Sequence, residues 1–275
     1  MRIVKTMLAA ALLTVSAGAA SAASCGNDGA GFSAWLQDFK AQAQSSGVSA
    51  RTVEAALGNV SYDRGTIQHD RAVRKAFGGG AGSLLSRASS SRAAAGKARM
   101  QRYAAVVQRT EARTGVPGPV IMAIWGLETD YGAVQGGKPI FTGLATLAYD
   151  CRRSEMFTKE LLAALQIVDR GDLSIGEMRG AGHGELGQAQ FLPSSYLKYA
   201  TDGDGDGRRD LVRSGPDVIA SIGTYLAGYG WSRGGGWEPG SANFRVFNEW
   251  NRSSAYQEAI ALLATKIAAG TSATR

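Results

Sequence analysis

The chain predicts a mainly α-helical fold, and three observations carry that expectation. Apolar residues recur at helical spacing along most of its length, no pair of alternating apolar and polar runs marks a sheet, and 44% hydrophobic against 19% charged residues in 275 can bury a sizeable core. That composition excludes general disorder. Glycine is abundant at 37 residues, about twice the usual share, but six prolines and no G-X-Y period exclude a collagen-like repeat. A formal charge of +7 favours anionic partners: nucleic acid, an anionic membrane face or an anionic polymer.

At the N-terminus, Arg2 and Lys5 precede the apolar run Met7 to Val15, and small residues follow, ending Ala20-Ser21-Ala22. Residues 1–22 therefore read as a secretory signal peptide, with the mature chain starting near Ala23. The competing reading is a buried or membrane-spanning helix, but the run is well short of the roughly 20 residues a bilayer requires. No later segment is long and apolar enough either, so no stable membrane insertion is expected. Export weakens the nucleic-acid reading, as does the lack of any RNP, zinc-finger or basic-helix pattern. In an oxidising compartment the two cysteines, Cys25 and Cys151, read as one disulfide. Lipid attachment at Cys25 is the rival, although Ala22-Ala23-Ser24 lacks the leucine usual three residues before such a cysteine. With His69 and His183 the cysteines show no short zinc-ligand spacing.

Helical stripes follow. Phe32, Trp35, Leu36 and Phe39 fall at i, i+3, i+4 and i+7, and Val53, Ala56, Leu57 and Val60 repeat the spacing after Ser49, a suitable N-cap. Residues 78–98, with Gly78-Gly79-Gly80 and Ser89-Ser90-Ser91, read as a mobile connection or a weak helix. A soft boundary near residue 100 separates an N-terminal helical portion, 23–100, from a core over 101–268 and a short tail, 269–275. Within that core Leu161, Leu165 and Val168, then Val218, Ile222, Tyr225 and Tyr229, then Tyr256, Ile260, Leu263 and Ile267 each mark one helix face.

The chemistry centres on the helix expected after the turn Gly115-Val116-Pro117, running through Ile121, Ile124, Trp125 and Leu127 to Glu128. At 100° per residue Glu128 lies within about 20° of Ile121 and about 40° of Ile124, on their apolar face. A carboxyl there loses hydration, its pKa rises, and it can hold a proton at neutral pH, as a general acid in glycosidic cleavage must. A surface residue or salt-bridge partner is the competing reading, and the pattern alone leaves both standing. Asp130 would point about 200° away from Glu128 on a continuing helix, so it reads as a helix-end or structural residue.

Three longer motifs add a resemblance. Ala123-Ile124-Trp125-Gly126-Leu127-Glu128-Thr129-Asp130-Tyr131-Gly132, then Leu144-Ala145-Thr146-Leu147-Ala148-Tyr149-Asp150 with Arg152-Arg153, then Gly187-Gln188-Ala189-Gln190-Phe191-Leu192-Pro193-Ser194-Ser195-Tyr196 stand in the order and spacing of a known family. The chain resembles the lytic murein transglycosylases of the membrane-bound transglycosylase B type, over roughly residues 30 to 267. That resemblance implies a lysozyme-like, mainly α catalytic domain with helices flanking a long groove. It implies Glu128 as the single catalytic acid/base, with Gln190, Tyr225, Asn251 and Tyr256 lining the sugar-binding cleft. It also implies a soluble periplasmic monomer acting on peptidoglycan glycan strands, needing no cofactor, with cell-wall machinery as candidate partners. The implied reaction breaks the β-1,4 bond between N-acetylmuramic acid and N-acetylglucosamine and leaves a 1,6-anhydro end, without consuming water.

The chain departs from the family pattern in places. Where many relatives carry Gly-Ser-x-Ala-Gly-Ala, it has Gly180-Ala181-Gly182-His183-Gly184-Glu185, losing a hydroxyl and gaining two ionisable groups. Trp250 precedes Asn251 where a tyrosine is common. Two alternatives stay open on these grounds: a wall-binding or scaffold protein with weak or no catalysis, suggested by Ala181, and a hydrolytic muramidase, should Glu185 be a second cleft carboxylate. A structural pairing of Glu185 with His183 or an arginine is the reading set against the latter. Finally, Asp202-Gly203-Asp204-Gly205-Asp206-Gly207 reproduces the first half of an EF-hand calcium loop, with Asp210 at position nine but Arg213 at position twelve, where a bidentate acid belongs. A structural calcium on Asp202, Asp204, Asp206 and Asp210 stands beside an acidic turn held by Arg208 and Arg209.

Overall fold

The structure, a computed structural model, describes residues 24–76 and 81–269. The predicted signal peptide over 1–22, the run Gly78-Gly79-Gly80 and the tail from residue 270 lie outside the described residues.

Helix α1, Phe32–Ser45, buries Phe32, Trp35, Leu36 and Phe39, the stripe its spacing predicts, together with Ala43. Helix α2, Ala50–Leu57, starts where Ser49 Oγ accepts the Thr52 amide at 3.2 Å. Helix α3 spans Arg64–Ala76 and α4 spans Ala81–Ser86. The Ala/Gly/Ser-rich stretch is thus largely helical, since Ser89 caps a further helix, α5, Ser90–Arg102. Its small residues permit close approach: a Cβ on Gly96 would meet Tyr131 Oη at 2.6 Å and Ile267 Cδ1 at 2.8 Å.

Helix α6, Ala104–Thr114, closes at Gly115 in the left-handed conformation, φ 74°. Helix α7, Gly118–Thr129, follows Pro117 and is buried nearly all round, which makes it the central element, packed against α5 and two helices further along the chain. Strand β1, Lys138–Pro139, leads into α8, Ile140–Tyr149, and α9, Ser154–Asp169, which pack against each other. Strand β2, Arg179–Gly180, pairs antiparallel with β1, Lys138 opposite Gly180. Four helices complete the chain: α10, Pro193–Tyr199, α11, Gly215–Gly228, α12, Phe247–Trp250, and α13, Ser254–Ala268.

Cys25 and Cys151 form a disulfide, Cα to Cα 4.9 Å. Beside it the Gly26 amide donates to the Tyr149 carbonyl at 2.9 Å and the Cys151 amide to the Gly26 carbonyl at 3.3 Å. Phe32 meets the Tyr149 ring edge-on at 5.5 Å, so the N-terminal segment is joined to α8 covalently, through backbone and through packing.

Candidate active site

A cleft of about 860 Å³ opens beside the C-terminal end of α7 and receives Glu128. Glu128 is only partly exposed, and its Oε1 accepts two hydrogen bonds, from Trp250 Nε1 at 2.7 Å and from Tyr256 Oη at 2.6 Å. Burial is the largest influence on this carboxyl and raises its pKa above the ordinary range. The two hydrogen bonds and the Arg87 guanidinium pull the other way, while the charge of Glu185 adds to the rise. The result is a carboxyl whose protonated form is aided by burial, with partners ready for its anion. In the same contact the Tyr256 hydroxyl is held well above the usual tyrosine range by burial and by the charge of Glu128, so it stays a donor.

The aromatic wall comes from three elements. Tyr225 of α11 meets Trp250 at 4.9 Å, edge-on, and Phe191 at 5.4 Å, and Phe191 meets Trp250 at 5.5 Å. The Tyr225 hydroxyl donates to the Glu249 carbonyl at 2.6 Å, which fixes the short helix that carries Trp250. Gln190 lines the cleft with φ 50°, a left-handed backbone uncommon for a residue with a side chain and the kind of strain that collects at functional sites. Its Nε2 donates to the carbonyls of Gly187 at 2.7 Å and Gln135 at 3.1 Å. Asn251 also lines the cleft, its Oδ1 accepting the Ser253 amide at 2.9 Å ahead of α13.

The structure thus gathers Glu128, Gln190, Tyr225, Asn251 and Tyr256 into one place, Tyr256 through its hydrogen bond to Glu128. Sequence reasoning noted Trp250 only as an aromatic and passed over Arg87, whose Nη2 donates to the Leu127 carbonyl while the side chain lines the cleft. Nothing local in the sequence announces Arg87. Asp130 ends α7 with φ 52° and pairs with Arg92 at 3.2 Å, a structural position away from the cleft.

Elsewhere in the cleft two of the departures from the family pattern, His183 and Glu185, join a network with Asp70 and the paired arginines. Buried Asp70 takes salt bridges from both Arg152 and Arg153, and His183 Nε2 stands 3.3 Å from Asp70 Oδ1. Burial pushes the His183 pKa below the ordinary histidine value, keeping the ring neutral at pH 7. Glu185 Oε2 accepts the His183 amide at 3.1 Å, and its Oε1 lies 3.9 Å from His183 Nδ1. The carboxylate therefore holds its own loop.

In the acidic loop, Asp202, Asp204 and Asp217 each offer one carboxylate oxygen, all within 4.8 Å of one another. Asp206 and Asp210 lie outside this group: Asp206 accepts the Arg208 amide at 2.8 Å, and Asp210 takes Arg213 Nε at 2.6 Å and the Arg213 amide at 2.9 Å. Buried Asp217, on the first turn of α11, was missed because it falls beyond the twelve-residue pattern.

A mainly helical frame presents one desolvated carboxyl to an aromatic-walled groove, the class of architecture found in lysozyme-like proteins. The chain belongs to the transglycosylase SLT domain family, whose profile matches residues 31–240. SltB3 from Pseudomonas aeruginosa, solved in complexes with NAG-anhNAM-pentapeptide and with NAG-NAM-pentapeptide, is similar with TM-scores of 0.77 and 0.78 at 30% identity, over 86% of this chain and 79% of that one. The Escherichia coli lytic transglycosylase Slt35, solved in complex with calcium, has a like fold with a TM-score of 0.74 at 23% identity, over 90% of this chain and 96% of that one. The membrane-bound lytic murein transglycosylase B of E. coli is 39% identical over 122 residues, which are 44% of this chain and 33% of that protein. The match spans about a third of that relative's length. The mainly α, lysozyme-like class expected from the sequence is the class of these neighbours.

Proposed function

We propose that the chain is a lytic transglycosylase that cleaves the β-1,4 bond between N-acetylmuramic acid and N-acetylglucosamine in peptidoglycan. The observation that carries this reading is Glu128, a desolvated carboxyl with two donors on one oxygen, in a groove of the family's fold. Protonated Glu128 gives its proton to O4 of the leaving glucosamine as the bond from muramic acid C1 to that oxygen breaks. The positive charge left on the muramic ring is taken up by the ring oxygen or by the sugar's own N-acetyl group. The Glu128 carboxylate, steadied by Trp250, Tyr256 and Arg87, then removes the proton of the C6 hydroxyl, whose oxygen closes on C1. One carboxyl serves both halves, where most glycosidases divide the work between two. Tyr225, Trp250 and Phe191 supply faces for the sugar rings, and Gln190 and Asn251 polar edges. Glu128→Gln should abolish release of anhydro-muropeptides from purified sacculi, a loss of at least about a hundredfold. Undiminished release would overturn the assignment, and products heavier by one water in the native protein would make it a hydrolytic muramidase.

The predicted signal peptide, the disulfide and the lack, among the described residues, of a helix long and apolar enough to cross a membrane support a periplasmic location. The acidic loop fits calcium: Asp202, Asp204 and Asp217 are hard oxygen donors, and Asp217 is a buried carboxylate whose pKa is raised by desolvation and by Asp204. The ion would tie the loop to α11 and take no part in the chemistry. Calcium should raise the melting temperature over a chelator control, and Asp217→Asn should remove the increase; equal melting of the native protein in both conditions would dismiss the ion.

A further inference from the structure

A second cavity, about 380 Å³, shares no lining residue with the catalytic cleft. It lies between the last turn of α5, Trp125 of α7 and the segment leading into α11. Arg99, Arg102 and Arg213 all line it, and none of its lining residues is acidic. Arg99 and Arg102 stand three residues apart on α5 and so project from one helix face. Their guanidiniums sit over the rings of Tyr131, at 4.8 Å, and Tyr103, at 5.4 Å, and neither pairs with a carboxylate among the described residues. Arg213 is the residue that breaks the calcium-loop pattern. It engages Asp210 through Nε at 2.6 Å and Glu177 through Nη1 at 2.5 Å, which leaves Nη2 outside both pairs.

Arg213 already has Asp210 and Glu177 as counter-charges. Arg99 and Arg102 stand side by side at the concavity with no carboxylate partner among the described residues, so an anion between them would relieve their mutual repulsion. Guanidinium forks match the two oxygens of a carboxylate, and the tyrosine rings beneath Arg99 and Arg102 hold them in place for such a contact. We propose that this cavity is an oxyanion site that takes the free carboxylate of a wall peptide. The proposal rests on the peptidoglycan reading above and adds to it a second point of attachment, outside the cleft that holds Glu128.

Titration of the full chain with acetyl-D-alanyl-D-alanine, followed by NMR at the Trp125 indole and the Tyr131 amide, tests it. Saturable shifts are expected, weakened by salt, displaced by inorganic phosphate, and at least about tenfold weaker for the carboxyl-amidated dipeptide and for Arg99→Gln/Arg102→Gln. Arg99→Lys/Arg102→Lys should keep part of the binding, and thermal melts of both double variants check that the fold is intact. Equal binding of acid and amide, undiminished binding by the glutamine variant, or binding of phosphate without the dipeptide would overturn the proposal. Failure here with Glu128-dependent release of anhydro products intact removes this site alone; loss of that dependence removes the enzymatic reading and leaves the titration as it is.

Discussion

In the proposed reaction Glu128 is an acid first and a base second, and its neighbours divide that work. Burial disfavours the anion and dominates, while Trp250, Tyr256 and Arg87 favour it. Removing a donor therefore raises the Glu128 pKa further. In Trp250→Phe or Tyr256→Phe the acid form should persist to higher pH, moving the alkaline limb of the kcat/KM profile upward, while kcat falls about tenfold or more because the returning base is less well held. A pH profile of anhydro-product release measures both effects, and an unmoved alkaline limb in both variants would contradict this account of the site. The sequence marked Glu128 as a carboxyl closing an apolar stripe, but the pattern alone left a surface or salt-bridge role standing beside a catalytic one. Its partners were not legible: Trp250 and Tyr256 lie 122 and 128 residues away, and no local pattern records a contact of that range. Only the family resemblance placed Tyr256 in the cleft.

At the scale of elements, periodicity spoke clearly wherever a helix has one wet face, as in α1, α2, α9 and α13. The stripe expected through Tyr229 overran α11, which is buried on nearly every side and leaves Tyr229 exposed past its end. Periodicity said less about α7, whose surroundings are apolar on nearly every side. For the small-residue stretch that runs into α5 it left a mobile connection and a weak helix side by side, and the described residues there are largely helix. That stretch carries no apolar stripe because its glycine and alanines serve approach instead of bulk. Gly96 lies under the Tyr131 hydroxyl and the Ile267 side chain, and Gly126 faces the same tyrosine, with a Cβ there only 2.7 Å from its Cζ. Helix propensity alone would make Gly96→Ala stabilising by about 1 kcal/mol. The crowding should reverse the sign, for a net loss of about 1–2 kcal/mol as α5 is pushed from Tyr131 and α13. Urea denaturation of the variant gives the answer, and a gain in stability would mean that the neighbours yield without strain.

Across the whole molecule, the disulfide is the one link the cysteine count made legible before any contact was known, and its position gives it a specific task. It closes a loop of 126 residues, and the chain it fastens begins at Cys25, just ahead of α1. Through it the Gly26 backbone pairs beside Tyr149, and the Tyr149 hydroxyl in turn accepts the Gly31 amide at 3.1 Å at the start of α1. Tyr149 ends α8, and Asp150, next in the chain, takes Arg71 of α3 at 3.1 Å. Cys25→Ser/Cys151→Ser should therefore lose about 2–5 kcal/mol, since an untethered loop of this length gains conformational freedom chiefly in the unfolded state. The loss should be felt first at α1, whose hold on α8 then rests on aromatic packing, the Gly31 hydrogen bond and the two backbone bonds at Gly26. Hydrogen exchange should show earlier opening of α1 than of α7 and α13, which are packed together away from the bridge. Uniform loss of protection over all helices would show that α1 is not a separately opening unit, and unchanged stability would show that the backbone ladder and Tyr149 suffice without the bond.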